Sequence, residues 1–281
     1  MTNEHVLGFI GFGEAGQALA EGWRTSGKAG EIYAVDLLDK SAAAKRTDVT
    51  LMTSIAEVCD ASDRIISAVT ASEQMNVVRE VSQLRPHQIF LDINSVAPQK
   101  KQAASQLLGP GYLDLAVLSP IHPAKHESPI LAAGDISTET LAELQTLFPD
   151  LAVASATVGD ASLFKMIRSV FVKGMEAVAT ECALAAHKSG LADRLFPSLD
   201  LTLRHENAQD LINYTMERVA VHGLRRAAEM EEVCTTLADL NLPSHMSEGA
   251  VALQRMVGAL ELTGVSRDSA SISHDVLARL D

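Results

Sequence analysis

The sequence predicts an α/β domain over residues 1–157, with a largely parallel sheet, followed by an all-α domain over residues 158–281. Three observations carry this expectation. Short β-branched or apolar runs alternate with helical stretches through about residue 157, the rhythm of crossover units that place helices on both faces of a sheet. Strand signals then nearly vanish. The stretch DASLFKMIRSVFVKGMEAVATECALAAHKSG carries apolar residues at helical spacing throughout.

Taken in order, strands are expected at HVLGFI, EIYAVD, DRIISAV, QIFLDI, YLDLAV and PILAAG, and helices beginning near Glu14, Lys40, Ser54, Ala71, Ala97 and Thr138. From Asp160 the spacing predicts one long helix that Gly190 stops. The remainder, including INYTMERVAVHGLRRAAEMEEVCTTLADLNLP, is also helical, with Pro197 and Pro243 marking breaks. No internal repeat or low-complexity linker interrupts the chain, and the domain boundary is expected near Thr157.

Composition narrows the classes of partner. With 281 residues, 47% of them apolar and 21% charged, the chain has globular composition and enough length to bury a core. A net charge of −13, from 23 basic and 36 acidic side chains, repels a phosphate backbone. No basic run with interleaved aromatics offsets it, so nucleic acid is not an expected partner. Cys59, Cys182 and Cys234 lie far apart without a CxxC pair and read as free thiols in a reducing cytoplasm. No Lys or Arg precedes the first apolar run, as a secretory leader requires, and no uncharged apolar stretch reaches the roughly 18 residues of a membrane span. The nine histidines show no HExxH-like spacing, so no metal site is expected.

Gly11, Gly13 and Gly16 form GxGxxG directly after one strand and at the start of a helix. There the first glycine permits the tight turn, the second lets the backbone approach a pyrophosphate, and the third permits close packing of helix on strand. Ordinary strand-to-helix turns also carry such glycines. Asp36 shifts the balance, because it ends EIYAVD twenty residues beyond Gly16, where a carboxylate accepts hydrogen bonds from adenosine ribose hydroxyls. Leu37, Leu38 and Asp39 supply no arginine for a 2′-phosphate, so a Rossmann-type domain binding NAD in preference to NADP is expected. Further cofactor contacts are assigned to Glu14 and Ala15 in the loop, to Val69 and Thr70 after DRIISA, and to Asn94.

With the loop, the Asp36 strand and the helical second half in view, the chain resembles the β-hydroxyacid dehydrogenases and their relative 6-phosphogluconate dehydrogenase. The glycine loop alone also resembles pyrroline-5-carboxylate reductase, imine reductases and prephenate dehydrogenase. The segment LDINSVAP looks like the family's Asp-x-Ser-Thr-x-x-Pro, with Asn94 and Ser95 in the pair that faces substrate. Either residue would also suit as the cap of the helix near Ala97. YLDLAVLSPIHPAKHESPILAAGD resembles the strand, loop, strand segment that follows, with Asp114 in register and Gly134 closing it. Its usual Ser-Gly-Gly is replaced by Leu118, Ser119 and Pro120, which implies that Ser119 and the loop residues His122 or His126 hold the substrate differently, or that the histidines are solvated.

VGDASLFKMIRSVFVKG looks like the family's Lys-x-x-x-Asn entry, which places Lys165 on the catalytic lysine and Ser169 on the asparagine. Ser162, Lys165, Ser169, Lys173 and Glu176 share one side of that helix. In HGLRRAAEMEEV, Arg226 approximately takes the place of a second family lysine, where a guanidinium suits a carboxylate. Intrahelical ion pairs of this arginine pair with Glu229 and Glu232 are an equal alternative.

The resemblance therefore implies an NAD-dependent dehydrogenase acting on the CH–OH group of a small anionic hydroxy acid, the alcohol β to a carboxylate, with Lys165 as general base. It also implies a homodimer. Reduction of an imine or cyclic imine, and a non-catalytic dinucleotide-sensing role, are the competing readings.

Overall fold

The computed structural model describes residues 5–28 and 30–280. The chain divides into two compact units, Met1–Val170 and Phe171–Asp281.

The first unit holds β1 (Leu7–Ile10), α1 (Glu14–Ser26), β2 (Ile32–Val35), α2 (Ser41–Thr47), β3 (Thr50–Leu51), α3 (Ile55–Ala61), β4 (Arg64–Ser67) and α4 (Gln74–Val81). It continues with β5 (Ile89–Asp92), α5 (Pro98–Leu108), β6 (Tyr112–Val117), a 3₁₀ turn (Lys125–Glu127), β7 (Ile130–Ala133), α6 (Thr138–Leu147) and β8 (Leu151–Ser155). The strands form one sheet in the order β3-β2-β1-β4-β5-β6-β7-β8, parallel throughout except where β7 runs antiparallel to β6. This is a Rossmann-type sheet, and its strand order reverses between β1 and β4.

Side-chain alternation along the strands fills both faces. Leu7, Phe9, Ile66 and Leu91 point to one core with Leu19, Trp23, Leu144 and Phe148 from α1 and α6 and the residue after it. Ile10, Ile65 and Phe90 point to the other, with Val58, Val78 and Ala104 from α3, α4 and α5. Trp23 is fully buried, and its indole Nε1 donates to the Leu147 carbonyl at 2.7 Å, so a large apolar body enters the core with its polar group satisfied.

All six expected strands are present, and two more occur. β3 is a two-residue exposed edge, and β8 is alanine-rich and mostly exposed, so neither carries the β-branched or alternating pattern that marks a strand. Helix α7 (Asp160–Lys188) spans the division between the two units as the single long helix expected, and Gly190 follows it at φ 71°.

The second unit adds α8 (Ala192–Leu199), α9 (Ala208–Asp239), α10 (His245–Gly258) and α11 (Ser269–Leu277). Pro243 falls in the break between α9 and α10, but Pro197 lies inside α8. That correction has a local reason: Pro197 forfeits one backbone donor in an eight-residue helix that ends two residues later. α9 and α10 approach closely at Gly223 and Gly258, where an added Cβ would meet the Gln254 carbonyl and the Leu224 amide, each at 2.4 Å. Cys59, Cys182 and Cys234 are free thiols, and among the described residues no helix is long and apolar enough to cross a membrane.

Candidate active site

The glycine loop is built by steric demand at two of its glycines and by open space at the third. Gly11 has φ 88°, and a Cβ there would lie 2.5 Å from the Ala68 carbonyl oxygen. At Gly16 it would lie 3.1 Å from the Gly11 carbonyl. At Gly13 it would meet nothing within 4 Å. Gly13 is also the N-cap of α1 and has no side chain to engage the first-turn amides. A helix N-terminus in this condition attracts an anion through its unpaired N–H groups and its dipole.

Asp36, immediately after β2, is tied to this loop. Its Oδ2 accepts from the Phe12 amide at 2.7 Å and its Oδ1 from the Leu38 amide at 2.8 Å. A cavity of about 370 Å³ opens here, lined by Gly11, Gly13, Asp36, Leu38, Val69 and Thr70 among others. It lies at the β1/β4 reversal of strand order, where open α/β sheets bind ligands. A cradle free of side chains, an uncapped helix terminus and a strand-end carboxylate together fit the adenosine and pyrophosphate of a dinucleotide.

A second cavity, of about 320 Å³, shares Ala15's loop and the walls Ala68 and Val69 with the first. Ala15, Asn94, Ser95, Ser119 and Lys165 line it, together with Ile93, Val117 and Ile121. Lys165, in the second turn of α7, donates from Nζ to Ser95 Oγ at 2.8 Å. Asn94 is buried and its amide is fully engaged: Nδ2 donates to Ser67 Oγ at 2.8 Å and to Asp92 Oδ1 at 2.7 Å, and Oδ1 accepts from the Val69 amide at 2.7 Å. The N-cap of α5 is Ala97, without a side-chain cap, so neither Asn94 nor Ser95 plays that part.

The remaining expected residues are dispersed. His122 is exposed and outside the lining of this cavity, and Ser169 lies one turn beyond Lys165, also outside it. His126 is buried against Gly22 of α1 with neither ring nitrogen hydrogen-bonded. Burial, reinforced by the Lys28 charge, holds its pKa below the ordinary histidine value. Arg226 stands on α9 in the second unit, its Nε buried without a partner, while Arg225 pairs with Glu229.

One group has no counterpart among the expected site residues. Lys101 of α5 is fully buried, and its Nζ meets the Asp92 carbonyl at 2.6 Å, Asp92 Oδ1 at 2.9 Å and Asp114 Oδ1 at 3.2 Å. Asp92 also accepts from Gln74 Nε2 and from the Tyr112 hydroxyl at 2.6 Å. Burial and the Asp92 charge push the Tyr112 phenol well above its usual pKa, which keeps it a donor. The signal for Lys101 is its place three and seven residues before Ala104 and Leu108 on the buried stripe of α5, whereas Lys100 faces solvent.

Residues 6–95 match the family described as NADP oxidoreductase, coenzyme F420-dependent, and residues 186–257 match a domain of unknown function, DUF1932. The chain is 26% identical over 237 residues to an uncharacterized 28.5 kDa protein in the 7S RNA 5′ region of Methanothermus fervidus, covering 84% of this chain and 92% of that one. Among solved structures it is similar to a conserved hypothetical protein from Sinorhizobium meliloti 1021, with 29% identity, 99% and 97% of the two chains covered and a TM-score of 0.58. A conserved protein of unknown function, described as structurally similar to 3-hydroxyacid dehydrogenases, matches at 28% identity over 93% of this chain and 100% of its own, with a TM-score of 0.57. A Streptomyces aurantiacus imine reductase shares the fold at a TM-score of 0.74, with 18% identity over 98% of this chain and 99% of its own.

Proposed function

We propose that this chain, which belongs to the 6-phosphogluconate dehydrogenase-like superfamily of NAD(P) oxidoreductases, oxidises the alcohol of a small, anionic 3-hydroxy acid with NAD as acceptor. The observation that carries the reading is the Lys165–Ser95 contact of 2.8 Å in a cavity that shares two walls with the glycine-loop cavity. When bound, the nicotinamide supplies the hydride acceptor.

The chain's own residues supply position and proton transfer. Lys165 takes the hydroxyl proton at Nζ as the carbinol carbon is oxidised, and Ser95, its partner, orients the same hydroxyl or the neighbouring carboxylate. Ser119 lies in the lining and offers a second hydroxyl to the anion. Asn94 braces the loop rather than donating to substrate, because both of its amide hydrogens are engaged. The hydrocarbon walls Ala15, Ile93, Val117 and Ile121 exclude water around the reacting carbon. Asp36 supports NAD over NADP: with Glu73 and Glu80 it makes the adenosine cavity more acidic than Lys40, in the same lining, makes it basic.

In this reading residues 1–157 form the dinucleotide-binding domain and residues 158–281 a helical domain for substrate and dimer contact. The apolar exposed face of α7, including Ile167 and Val170, seats a second copy of the chain.

Lys165→Met tests the assignment. Turnover of the best substrate from a hydroxy-acid screen should fall by about 100-fold or more while NADH affinity stays unchanged, as expected for loss of a positioned acid–base group. Retention of a tenth of the rate rejects the lysine. Reduction of an imine is the second reading, favoured by the mostly hydrocarbon lining, and a parallel screen of cyclic imines with both cofactors separates the two.

A further inference from the structure

We propose that Lys101 and its two buried aspartates are positioning residues, forming a charged hub that fixes Lys165 and Ser95 in register by tying the end of β5 to the start of α7. The inference rests on the reading that Lys165 and Ser95 are the reactive pair, and goes beyond it by assigning what holds them there.

The two sides of the pair come from elements with no sequence proximity. Ser95 lies three residues beyond the end of β5, and its neighbour Asn94 receives its place from Asp92, which accepts both the Asn94 amide N–H at 2.9 Å and the side-chain N–H at 2.7 Å through Oδ1. Lys165 lies in the second turn of α7, whose first turn is anchored by Asp114. Asp114 Oδ2 accepts from the Gly159 amide at 3.2 Å and the Ser162 amide at 3.0 Å, and Oδ1 from the Ser162 hydroxyl at 2.7 Å. A carboxylate at this point also sits favourably in the dipole of α7.

Lys101 joins the two. Its Nζ lies within 3.2 Å of one oxygen of each aspartate, and all three side chains are fully buried. Without it, two carboxylates would share a dry site, where like charges repel strongly and one must take a proton. Protonation or separation of either would release the donors it holds, and with them the end of β5 or the first turn of α7. A buried ion group of this kind is a poor source of stability, because the cost of removing three charges from water offsets most of their attraction. Its specificity is geometric: five protein donors converge on fixed oxygens at the two places from which Ser95 and Lys165 project.

The test uses Lys101→Met in the full chain, with a reporter that needs no turnover. Reductive methylation of Lys165 by formaldehyde with cyanoborohydride as the hydride donor is followed by peptide mass spectrometry, with exposed Lys173 as internal reference. The hub predicts that the Lys165 labelling rate changes by about threefold or more, equivalent to half a pKa unit, while Lys173 is unaffected. It also predicts a fall in kcat of about 100-fold with NADH affinity within about twofold, the signature of a reacting group misplaced by roughly an ångström. The double variant Lys101→Met/Asp114→Asn, which removes one charge of each sign, should recover about tenfold of that loss.

A folded Lys101→Met protein with wild-type Lys165 labelling and wild-type kcat overturns the proposal. If that variant does not fold, Ser162→Ala, which removes a single donor to Asp114, decides in its place: altered Lys165 labelling supports the hub and wild-type labelling rejects it. Failure of the underlying reading looks different, since Lys165→Met would then keep its turnover while Lys165 labelling still responded to Lys101→Met.

Discussion

Asp36 is bonded to the backbone of the loop it serves: its carboxylate accepts from the Phe12 amide, twenty-four positions earlier, at 2.7 Å. One side chain therefore shapes the glycine loop and lines the cavity of about 370 Å³ beside it. Asp36→Asn keeps an acceptor for one of the two amides but removes the charge. NADH affinity should drop about tenfold, since hydrogen bonds to charged groups are worth about 1.5 kcal/mol or more, and the preference for NADH over NADPH should narrow. Fluorescence titrations with both cofactors measure the ratio, and an unchanged ratio removes Asp36 from the specificity argument.

Gly11 and Gly13 differ only two positions apart, and alanine separates their roles. Gly11→Ala forces a Cβ against the Ala68 carbonyl at φ 88°, so it should lower stability by about 1–3 kcal/mol. Gly13→Ala meets open space and should leave the thermal midpoint in place while abolishing most NADH binding, because the methyl occupies the path of the pyrophosphate. Melting curves and NADH titrations on the same two preparations read both outcomes.

His126 makes stability depend on pH. Its folded pKa is lowered, chiefly by burial, so the unfolded chain binds the proton more readily. The neutral ring's contribution is fully present above the unfolded value of about 6.5 and is lost as pH falls through the lowered folded value. The urea midpoint should accordingly fall between about pH 7.5 and pH 5, and His126→Leu should flatten that fall. Equal slopes for the two proteins would assign the effect to other groups.

The exposed face of α7 gives the oligomer test. Ile167 is 63% and Val170 77% exposed, in a row with Leu163 and Phe164. Sedimentation of the wild type should show a species near twice the 30.0 kDa chain mass, and Val170→Glu should return it to the single-chain mass with its NADH binding intact.

What the sequence discloses depends on whether the cause is local. The glycine loop, Asp36 and the long α7 follow from turn chemistry and periodicity within a few turns of chain, and each is legible residue by residue. Lys165 and Ser95 can be named separately from their motifs, but seventy residues separate them and only the folded chain shows a 2.8 Å contact. Lys101 is harder still: its three- and seven-residue steps to Ala104 and Leu108 put it on the buried side of α5, but its partners come from β5 and β6, and no local pattern encodes them. β8 escapes notice because its alanines owe their strand to pairing with β7 and not to propensity.

The full engagement of Asn94 has a consequence for chemical selectivity. With that amide committed, the recognised polar vocabulary of the smaller cavity reduces to the hydroxyls of Ser95 and Ser119 and the amino group of Lys165, set among aliphatic walls. Walls of that kind sort candidates by bulk, at roughly 1–3 kcal/mol for each methylene, and do little to reject an isostere. A site so furnished has the makings of a generalist at the reacting carbon and of a specialist in size.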